Sequence, residues 1–266
     1  MRRGALALPV LPLVLAACGG GTALNASEVK LTPVAYVTAA AKKTGKETSE
    51  HMSMKGSVTV AGQLVTLTGD GDFDNAKRIG SMHMTFNAGG LSGDLDEVLD
   101  GTTVYMRSPL FADGLPKGKT WMKLDLEKAA ASQGVDFSAL GSQDPTQTLA
   151  QLQAIGNVTE VGTEQVGGVD TTHYRGRVDL AKVPQGAKIK ALTDAAYGPY
   201  DVWIGKDDGY VHRVKFSFSI KLKGAGRESI ALTNDFSDFG KDVSVTVPAE
   251  ADTYDATNQS IKGLGG

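Results

Sequence analysis

Residues 200–222 read YDVWIGKDDGYVHRVKFSFSIKL and contain two segments of alternating side chains, joined by Lys206-Asp207-Asp208-Gly209. In the second segment every other position from Val214 to Leu222 is apolar, with Lys or Ser between. A period of two is typical of a strand with one buried face, and Asp-Gly favours the turn of a β-hairpin. The stretch therefore predicts an antiparallel hairpin whose second strand, 211–222, has an apolar face from Val214 onward.

The same alternation recurs on both sides of this hairpin. Met82, Met84 and Phe86 alternate with Ser81, His83 and Thr85, so this segment also has one apolar face. The abundance of glycine, 33 of 266 residues, favours a β-rich chain with many turns. A turn region is expected at 69–75, and further strands are expected at 57–60, 64–68, 104–106, 121–124, 158–162, 166–169, 172–180, 229–236 and 243–247.

Three segments have helical periodicity instead. Pro33 after Thr32 is typical of a helix start and predicts a helix from Pro33 to about Glu50. The period is again helical from 124 to 155, where Asp144-Pro145 suits the start of a second helix, and it returns from 183 to 197. The order of elements predicts an α+β, β-rich fold of antiparallel strands with helices inserted in mid-chain.

The first residues have the features of an export signal. Arg2 and Arg3 precede an apolar stretch, 4–15, that is shorter than the roughly 20 residues of a membrane-spanning helix. Leu15-Ala16-Ala17-Cys18 resembles a lipobox, in which cleavage precedes the cysteine and its thiol takes a diacylglyceryl group. Because two acyl chains, palmitate for example, anchor a protein stably, we expect lipidation at Cys18 and a location on the extracytoplasmic face of the cell membrane.

These features divide the chain into a signal peptide (1–17), a lipidated tether (18–32), one domain (33–250) and a disordered C-terminal tail (251–266). Removal of residues 1–17 leaves 25 of the 27 basic residues against 30 acidic ones and changes the net charge from −3 to −5. A chain of this charge without a basic patch is not expected to bind nucleic acid. Cys18 is the single cysteine, so the mature domain forms no intramolecular disulfide.

Three stretches resemble the LppX/LprAFG family of actinobacterial lipoproteins, within the wider LolA/LolB-like superfamily. They are a helix followed by GTEQVGGVDTTHY (162–174), the hairpin segments DVWIG (201–205) and GYVHR (209–213), and FGKDV (239–243) before Pro248-Ala249. The resemblance covers roughly residues 35 to 250. It implies a strongly curved antiparallel sheet, an incomplete barrel, with helices on its concave side. It also implies an apolar cavity that takes a lipid or lipidated glycoconjugate as partner.

The residues themselves are compatible with such a cavity, because methionine adapts to varied apolar partners and each buried acyl CH₂ contributes about 0.8 kcal/mol. Ordinary core packing is the alternative at every one of these positions. The candidates for a lipid-contacting surface come from the apolar faces of the predicted strands: Val58, Val60, Met82, Met84, Phe86, Met106, Phe216, Phe218 and Ile220.

No other motif points to a different chemistry. Asp70-Gly71-Asp72-Phe73-Asp74 begins like a calcium loop but lacks the glycine at position six and the glutamate at position twelve, so a polar hairpin turn is expected there. The four histidines have no metal-ligand spacing, and no nucleophile elbow is present. We therefore expect no enzyme, no metal and no cofactor. The expected function is carriage or presentation of a lipid in the cell envelope; the alternative is a structural or interaction lipoprotein assisting a transporter or sensing envelope stress.

Overall fold

The computed structural model describes residues 31–60, 62–132, 149, 152, 155–178, 196–222 and 226–257. Twelve strands in these ranges form one curved sheet that does not close. Their bounds are β1 Ser49–Val60, β2 Gln63–Asp74, β3 Ile79–Ala88, β4 Leu91–Asp100, β5 Thr103–Arg107, β6 Trp121–Asp125, β7 Ile155–Val166, β8 Val169–Val178, β9 Ala196–Gly205, β10 Val211–Leu222, β11 Gly226–Ser237 and β12 Thr253–Asp255.

The strand order across the sheet is β12-β6-β5-β4-β3-β2-β1-β11-β10-β9-β8-β7. Successive hairpins build each half, and the two halves join where β1 pairs with β11 in antiparallel register, Met52 opposite Phe236. The pairs described are antiparallel except β12 with β6, which is parallel. The predicted fold class, a curved antiparallel sheet with helices on its concave side, is confirmed.

Helix α1 (Pro33–Thr44) begins as the sequence predicts, with Pro33 in its first turn and the Thr32 hydroxyl accepting from the Ala35 N–H at 3.3 Å. It ends at Thr44, with Gly45 as its C-cap, rather than near Glu50, and β1 begins at Ser49. Its buried face, which includes Val37 and Ala41, joins the core formed by the sheet.

Two short helices flank β6: α2 (Pro109–Ala112) and α3 (Leu126–Ser132). Leu149 and Leu152, in the predicted second helix, are helical and completely buried, whereas Ile155 already belongs to β7. Most of the predicted third helix, 183–195, lies outside the described ranges, and 196–197 form the start of β9.

The turn predicted at 69–75 is wrong, because β2 continues to Asp74 and the chain turns at 75–78. Gly69 and Gly71 are interior strand positions: a Cβ on Gly69 would lie 2.8 Å from Met84 Cγ, and one on Gly71 2.1 Å from the Ser81 carbonyl oxygen. Glycine in a strand marks such close approach as well as a turn, and here close approach is its role.

The last strand predicted, 243–247, is also wrong. Alternate residues there are half-buried, but the segment pairs with no strand, since β12 occupies the free edge of β6. The predicted boundary of the tail needs correction for the same reason: residues 251–257 belong to the domain, with Thr253, Ala256 and Thr257 buried. Residues 258–266 lie outside the described part of the chain.

Candidate functional site

The sheet has an inner face, which α1 packs against, and an outer face. Directly opposite residues in antiparallel strands share a face, so the register defines rows of inner-facing residues that cross the sheet. One of these, which we name the methionine row, consists of Met122, Met106, Glu97, Met82, Gly71 and Met52. The next row consists of Leu95, Met84, Gly69, Met54, Asn234, Val214, Val202 and Tyr174.

Every methionine of the chain except Met1 lies in these two rows. Met82, Met84 and Met106 were predicted as candidates; Met52, Met54 and Met122 were not. Met52 and Met54 lie in a segment, 49–56, that was predicted neither as a strand nor as an apolar face. An unbranched thioether adapts its shape to its neighbours, so this part of the inner face is built from the side chains that conform most easily to an apolar partner.

In the half of the sheet that contains β1–β4, burial along the inner face is graded from one end of the strands to the other. One end of the strands carries the turns 75–78, 101–102 and 206–210, and we call it the buried end. The inner-facing side chains of Phe73, Leu99 and Phe236 are almost fully enclosed there. The opposite end carries the turns at Gly62 and 89–90, and we call it the exposed end. The inner-facing side chains of Val58, Val65 and Phe86 are only half-buried there. The C-terminus of helix α1 lies at the buried end, where Thr44 Oγ1 accepts from the Val211 N–H at 2.8 Å.

The predicted candidates occupy this graded face as follows. Met82 belongs to the buried core, and Met84, Met106 and Phe216 pack against it half-buried. Phe216 also stacks on Tyr200, with ring centroids 5.1 Å apart. Val58 and Phe86 lie further toward the exposed end on the same face. Val60, Phe218 and Ile220 hold register positions of that face, but their side chains lie outside the described residues.

Two buried polar groups lie in the two rows. Glu97, 7% exposed, is flanked across the strands by Met82 and Met106, and burial raises the pKa of its carboxyl to about 7. Asn234, 5% exposed, lies between Met54 and Val214, and its Oδ1 has no hydrogen-bond partner. Sequence reasoning found neither, because each side chain faces inward only through the register of its strand.

The outer face is polar. His83 Nδ1 lies 2.7 Å from Asp96 Oδ1, and this hydrogen bond raises the pKa of the imidazole and lowers that of the carboxyl. Further along the sheet His173 lies 2.7 Å from Asp201 and stacks on Trp203, with ring centroids 4.2 Å apart. The predicted turn at Asp70–Asp74 belongs to β2, with Asp70 and Asp72 on this outer face.

These outer-face pairs are cross-strand contacts that stabilise the sheet. Within the described ranges, no group of three or more His, Cys, Asp or Glu side chains could hold a metal ion. None of the helices in those ranges combines the length and the apolar character needed to cross a bilayer. The most distinctive surface is therefore the graded, methionine-rich inner face.

The chain is similar in sequence to known proteins. A family model described as LppX_LprAFG lipoprotein matches residues 32–245. A 31.2 kDa protein from the rplA–rplJ intergenic region of Streptomyces griseus is 26% identical over 252 residues, covering 85% of this chain and 80% of that protein.

Two solved structures match this chain over most of its length. The crystal structure of the Mycobacterium tuberculosis lipoprotein LppX is 20% identical, covers 80% of this chain and 98% of its own, and superposes with a TM-score of 0.50. That of LprF from Mycobacterium bovis is 16% identical, covers 82% and 97%, and gives a TM-score of 0.48. At these identities the likeness to LppX concerns the fold.

Proposed function

Because this chain belongs to the LppX_LprAFG lipoprotein family, we propose that it is a non-enzymatic, lipid-anchored protein that holds a lipid or glycolipid against the inner face of its sheet. It carries or presents this ligand at the extracytoplasmic surface of the cell membrane. The observation that carries the proposal is the graded inner face, which is adaptable and apolar and becomes accessible toward one end.

The energetics favour acyl chains. A chain of about a dozen methylenes moved from water onto apolar side chains gains about 0.8 kcal/mol per CH₂, which is enough for firm binding without a charged contact. Met84, Phe86 and Phe216 retain accessible surface on the inner face and supply the contact area. Their different shapes tolerate ligands of different length.

The exposed end has features that suit contact with a membrane. Leu31, Leu64, Leu91 and Leu110, between 52% and 57% exposed, all lie toward this end. Leu91 continues the inner face, and Leu110 lies 3.6 Å from the place of a Cβ on Gly93. Isolated exposed leucines are common, but four at one end form a surface that suits the apolar boundary of a bilayer.

The attachment point agrees with this orientation. The C-terminus of α1 is at the buried end and Tyr36 contacts Tyr174 midway along the sheet, so the helix N-terminus points toward the exposed end. Residues 18–30, thirteen in number, span at most about 45 Å when extended, so a lipidated Cys18 keeps this end within reach of the membrane.

The direct test is mass spectrometry of lipids that co-purify with residues 19–266, which lack the signal peptide and Cys18, followed by uptake of a fluorescent fatty acid. Met84→Trp fills the accessible part of the inner face and should abolish uptake. Thr85→Trp, one residue along on the outer face, should leave it unchanged.

A protein that co-purifies with no lipid and takes up no fatty acid would contradict the proposal and favour the structural or interaction lipoprotein. Equal loss of uptake in the two tryptophan variants would contradict the assignment to the inner face. A transporter in the envelope is the expected partner for onward movement, and co-immunoprecipitation from membranes tests it.

A further inference from the structure

Asn234 lies on strand β11 at the point where the inner face changes from half-buried to buried. The inner-facing residues of this strand include Ile230 and Leu232, which are half-buried, and then Asn234 and Phe236, which are 5% and 2% exposed. Because a strand rises about 3.3 Å per residue, Asn234 lies about 13 Å from Ile230 in the direction of the buried end. The amide is therefore at the inner limit of the surface proposed to hold the lipid.

The positions around this amide are apolar. Met54 on β1 and Val214 on β10 lie opposite Asn234 on either side, and Leu232 and Phe236 are its inner-facing neighbours along β11. Within the described part of the chain, Asn234 Oδ1 is buried and has no hydrogen-bond partner. Burial of an amide oxygen without a hydrogen bond destabilises a protein, and leucine, a residue of similar size, would avoid this. Since such groups are rare in native proteins, this one points to a role other than packing of the sheet.

The chemistry of the amide restricts what can pair with it. The free group is an oxygen, so its partner must donate a hydrogen bond, which ester and ether oxygens cannot do. A hydroxyl group donates one hydrogen bond and also accepts, so it pairs with the amide whichever way the amide plane is turned. A lipid with a hydroxyl group among its methylenes therefore satisfies both the amide and the apolar side chains around it.

A ligand can approach Asn234 from the exposed end. Met54, beside it in the row, is half-buried, and so is Leu232, one step toward the exposed end. The unbranched thioether side chain of methionine changes shape easily, so Met54 can move aside for a chain that lies along β1 and β11. Val214, on the other side of Asn234, is completely enclosed and forms the wall against which such a chain stops.

We propose that Asn234 is a ligand-contacting group whose side-chain amide forms a hydrogen bond with a hydroxyl group carried along the chain of the bound lipid. This bond selects hydroxylated lipids over plain acyl chains of the same length. The inference rests on the proposed function and adds the chemical class of the ligand.

The experiment uses residues 19–266 and measures the displacement of a fluorescent fatty acid. The competitors are octadecanoic acid and its monohydroxy isomers, with the hydroxyl group on carbon 2, 6, 10 or 12. At least one isomer should bind the wild-type protein about three- to tenfold more tightly than octadecanoic acid, because it gains one hydrogen bond. Asn234→Leu should lose this preference and still bind octadecanoic acid.

Two further variants complete the comparison. Asn234→Ala also lacks the amide but adds no bulk, so it gives the same test should leucine disturb the fold, which circular dichroism and thermal unfolding verify for each variant. Thr233→Val removes a polar group one residue away on the outer face, where Thr233 lies opposite Lys55 and Lys215. This matched control should keep the preference for the hydroxylated acid.

A wild-type protein that binds the acids but prefers no hydroxylated isomer overturns the role of Asn234, and so does an unchanged preference in Asn234→Leu or Asn234→Ala. Loss of the preference in Thr233→Val to the same extent also overturns it. In each of these cases lipid binding itself stands. A wild-type protein that binds none of the acids overturns the proposed function, so the two failures are distinguishable.

Discussion

The pKa of the Glu97 carboxyl depends on the surroundings of the side chain in the folded protein. Its carboxyl has an ordinary pKa of 4.5 in a solvated chain and one of about 7 in the folded protein, and the cause is burial against methionine and leucine side chains. In sequence it follows Asp96, which faces outward and whose pKa is lowered by His83. Adjacent acids on opposite faces of one strand are thus shifted in opposite directions.

The raised pKa predicts that Glu97 makes the fold less stable as pH rises. Below about pH 4 the group is protonated in both states and has no effect. Between about pH 4.5 and 7 it ionises in the unfolded chain first, so stability falls by up to about 3 kcal/mol and stays lower above that range. Urea denaturation should therefore find Glu97→Gln more stable than wild type at pH 8 by up to this amount and equal at pH 4.

Asp207→Asn, in the exposed turn between β9 and β10, is the matched control and should differ little from wild type at either pH. A Glu97→Gln variant with the same stability increment at pH 4 and pH 8 would show that ionisation of Glu97 is not the cause.

His83 provides a second test on a single residue. Its hydrogen bond to Asp96 raises the imidazole pKa, so the charged form is favoured in the folded protein. That contribution is complete below the unfolded pKa near 6.5 and is lost as pH rises through the higher folded value. NMR titration of the His83 ring should give a pKa above 6.5 that decreases in Asp96→Asn; an unaltered titration would contradict the pairing.

The strands show why glycine occurs so often in regular structure here. Gly80 on β3 lies under Phe73 on β2, and a Cβ there would come within 2.3 Å of the ring. Gly93 and Phe86 repeat the arrangement on β4 and β3, with 2.7 Å to the ring. In both pairs an aromatic ring occupies the space that a side chain on the opposite glycine would need, a close approach of the kind that glycine permits in a curved sheet.

Gly80→Ala should therefore destabilise the domain by about 1–3 kcal/mol, because Phe73 must leave its position in the core. Gly162→Ala on β7 is the control, since nothing lies within 4 Å of the added methyl group and no positive φ is present. Thermal unfolding should separate the two variants. Similar melting temperatures would mean that Phe73 finds an equivalent position at no cost.

Strand β12 covers the otherwise free edge of β6, and three hydrogen bonds join residues 252–257 to β6 and to the residue before it. The Thr120 N–H donates to the Asp252 carbonyl and the Ala256 N–H to the Lys123 carbonyl, both at 2.9 Å, and the Asp125 N–H donates to Thr257 Oγ1 at 3.0 Å. At about 1 kcal/mol each, these three bonds alone account for about 3 kcal/mol.

Truncation after Ala249 should lower the free energy of unfolding by about this amount and expose an unpaired edge that favours aggregation. Truncation after Thr257 retains all three bonds and should match the full domain in urea denaturation. If the two truncated proteins unfold at the same denaturant concentration, β12 contributes nothing to stability.

For the molecule as a whole, the exposed end gathers the accessible part of the inner face and the exposed leucines. The proposed function requires this end to meet the membrane. Leu91→Ser with Leu110→Ser should therefore reduce binding of residues 19–266 to phosphatidylcholine–phosphatidylglycerol vesicles, measured by co-sedimentation, by tenfold or more, since full burial of one leucine contributes about 1.5–3 kcal/mol and about 1.4 kcal/mol is a factor of ten. Val161→Ser, equally exposed on β7 away from this end, is the control.

Loss of vesicle binding in Val161→Ser to the same extent would indicate general surface hydrophobicity rather than a defined contact. Unchanged binding in the double leucine variant would contradict the orientation, although lipid uptake would remain to be judged by its own assay.

Several features of this protein could be predicted from the local pattern of its sequence. The alternation in 211–222 predicts β10 to the residue, Lys206–Gly209 lies in the turn before it, and Pro33 begins α1. Each depends on interactions among neighbours in the chain: a two-residue period, a turn preference and a helix cap. The family resemblance rests on the same local features, and the family match agrees with it.

Other features depended on contacts between residues far apart in sequence. Strand β4 carries apolar and acidic side chains on both faces, so its sequence LSGDLDEVLD has no clean period, and only pairing with β3 and β5 turns Glu97 inward. The half-buried alternation of 243–247 resembles a strand but finds no partner, while 253–255 does. The period of the apolar residues indicates which side chains are buried. It does not indicate which strands pair, because pairing depends on which strand edges are still free when the whole sheet assembles. The methionine row and the carboxyl within it are products of that assembly.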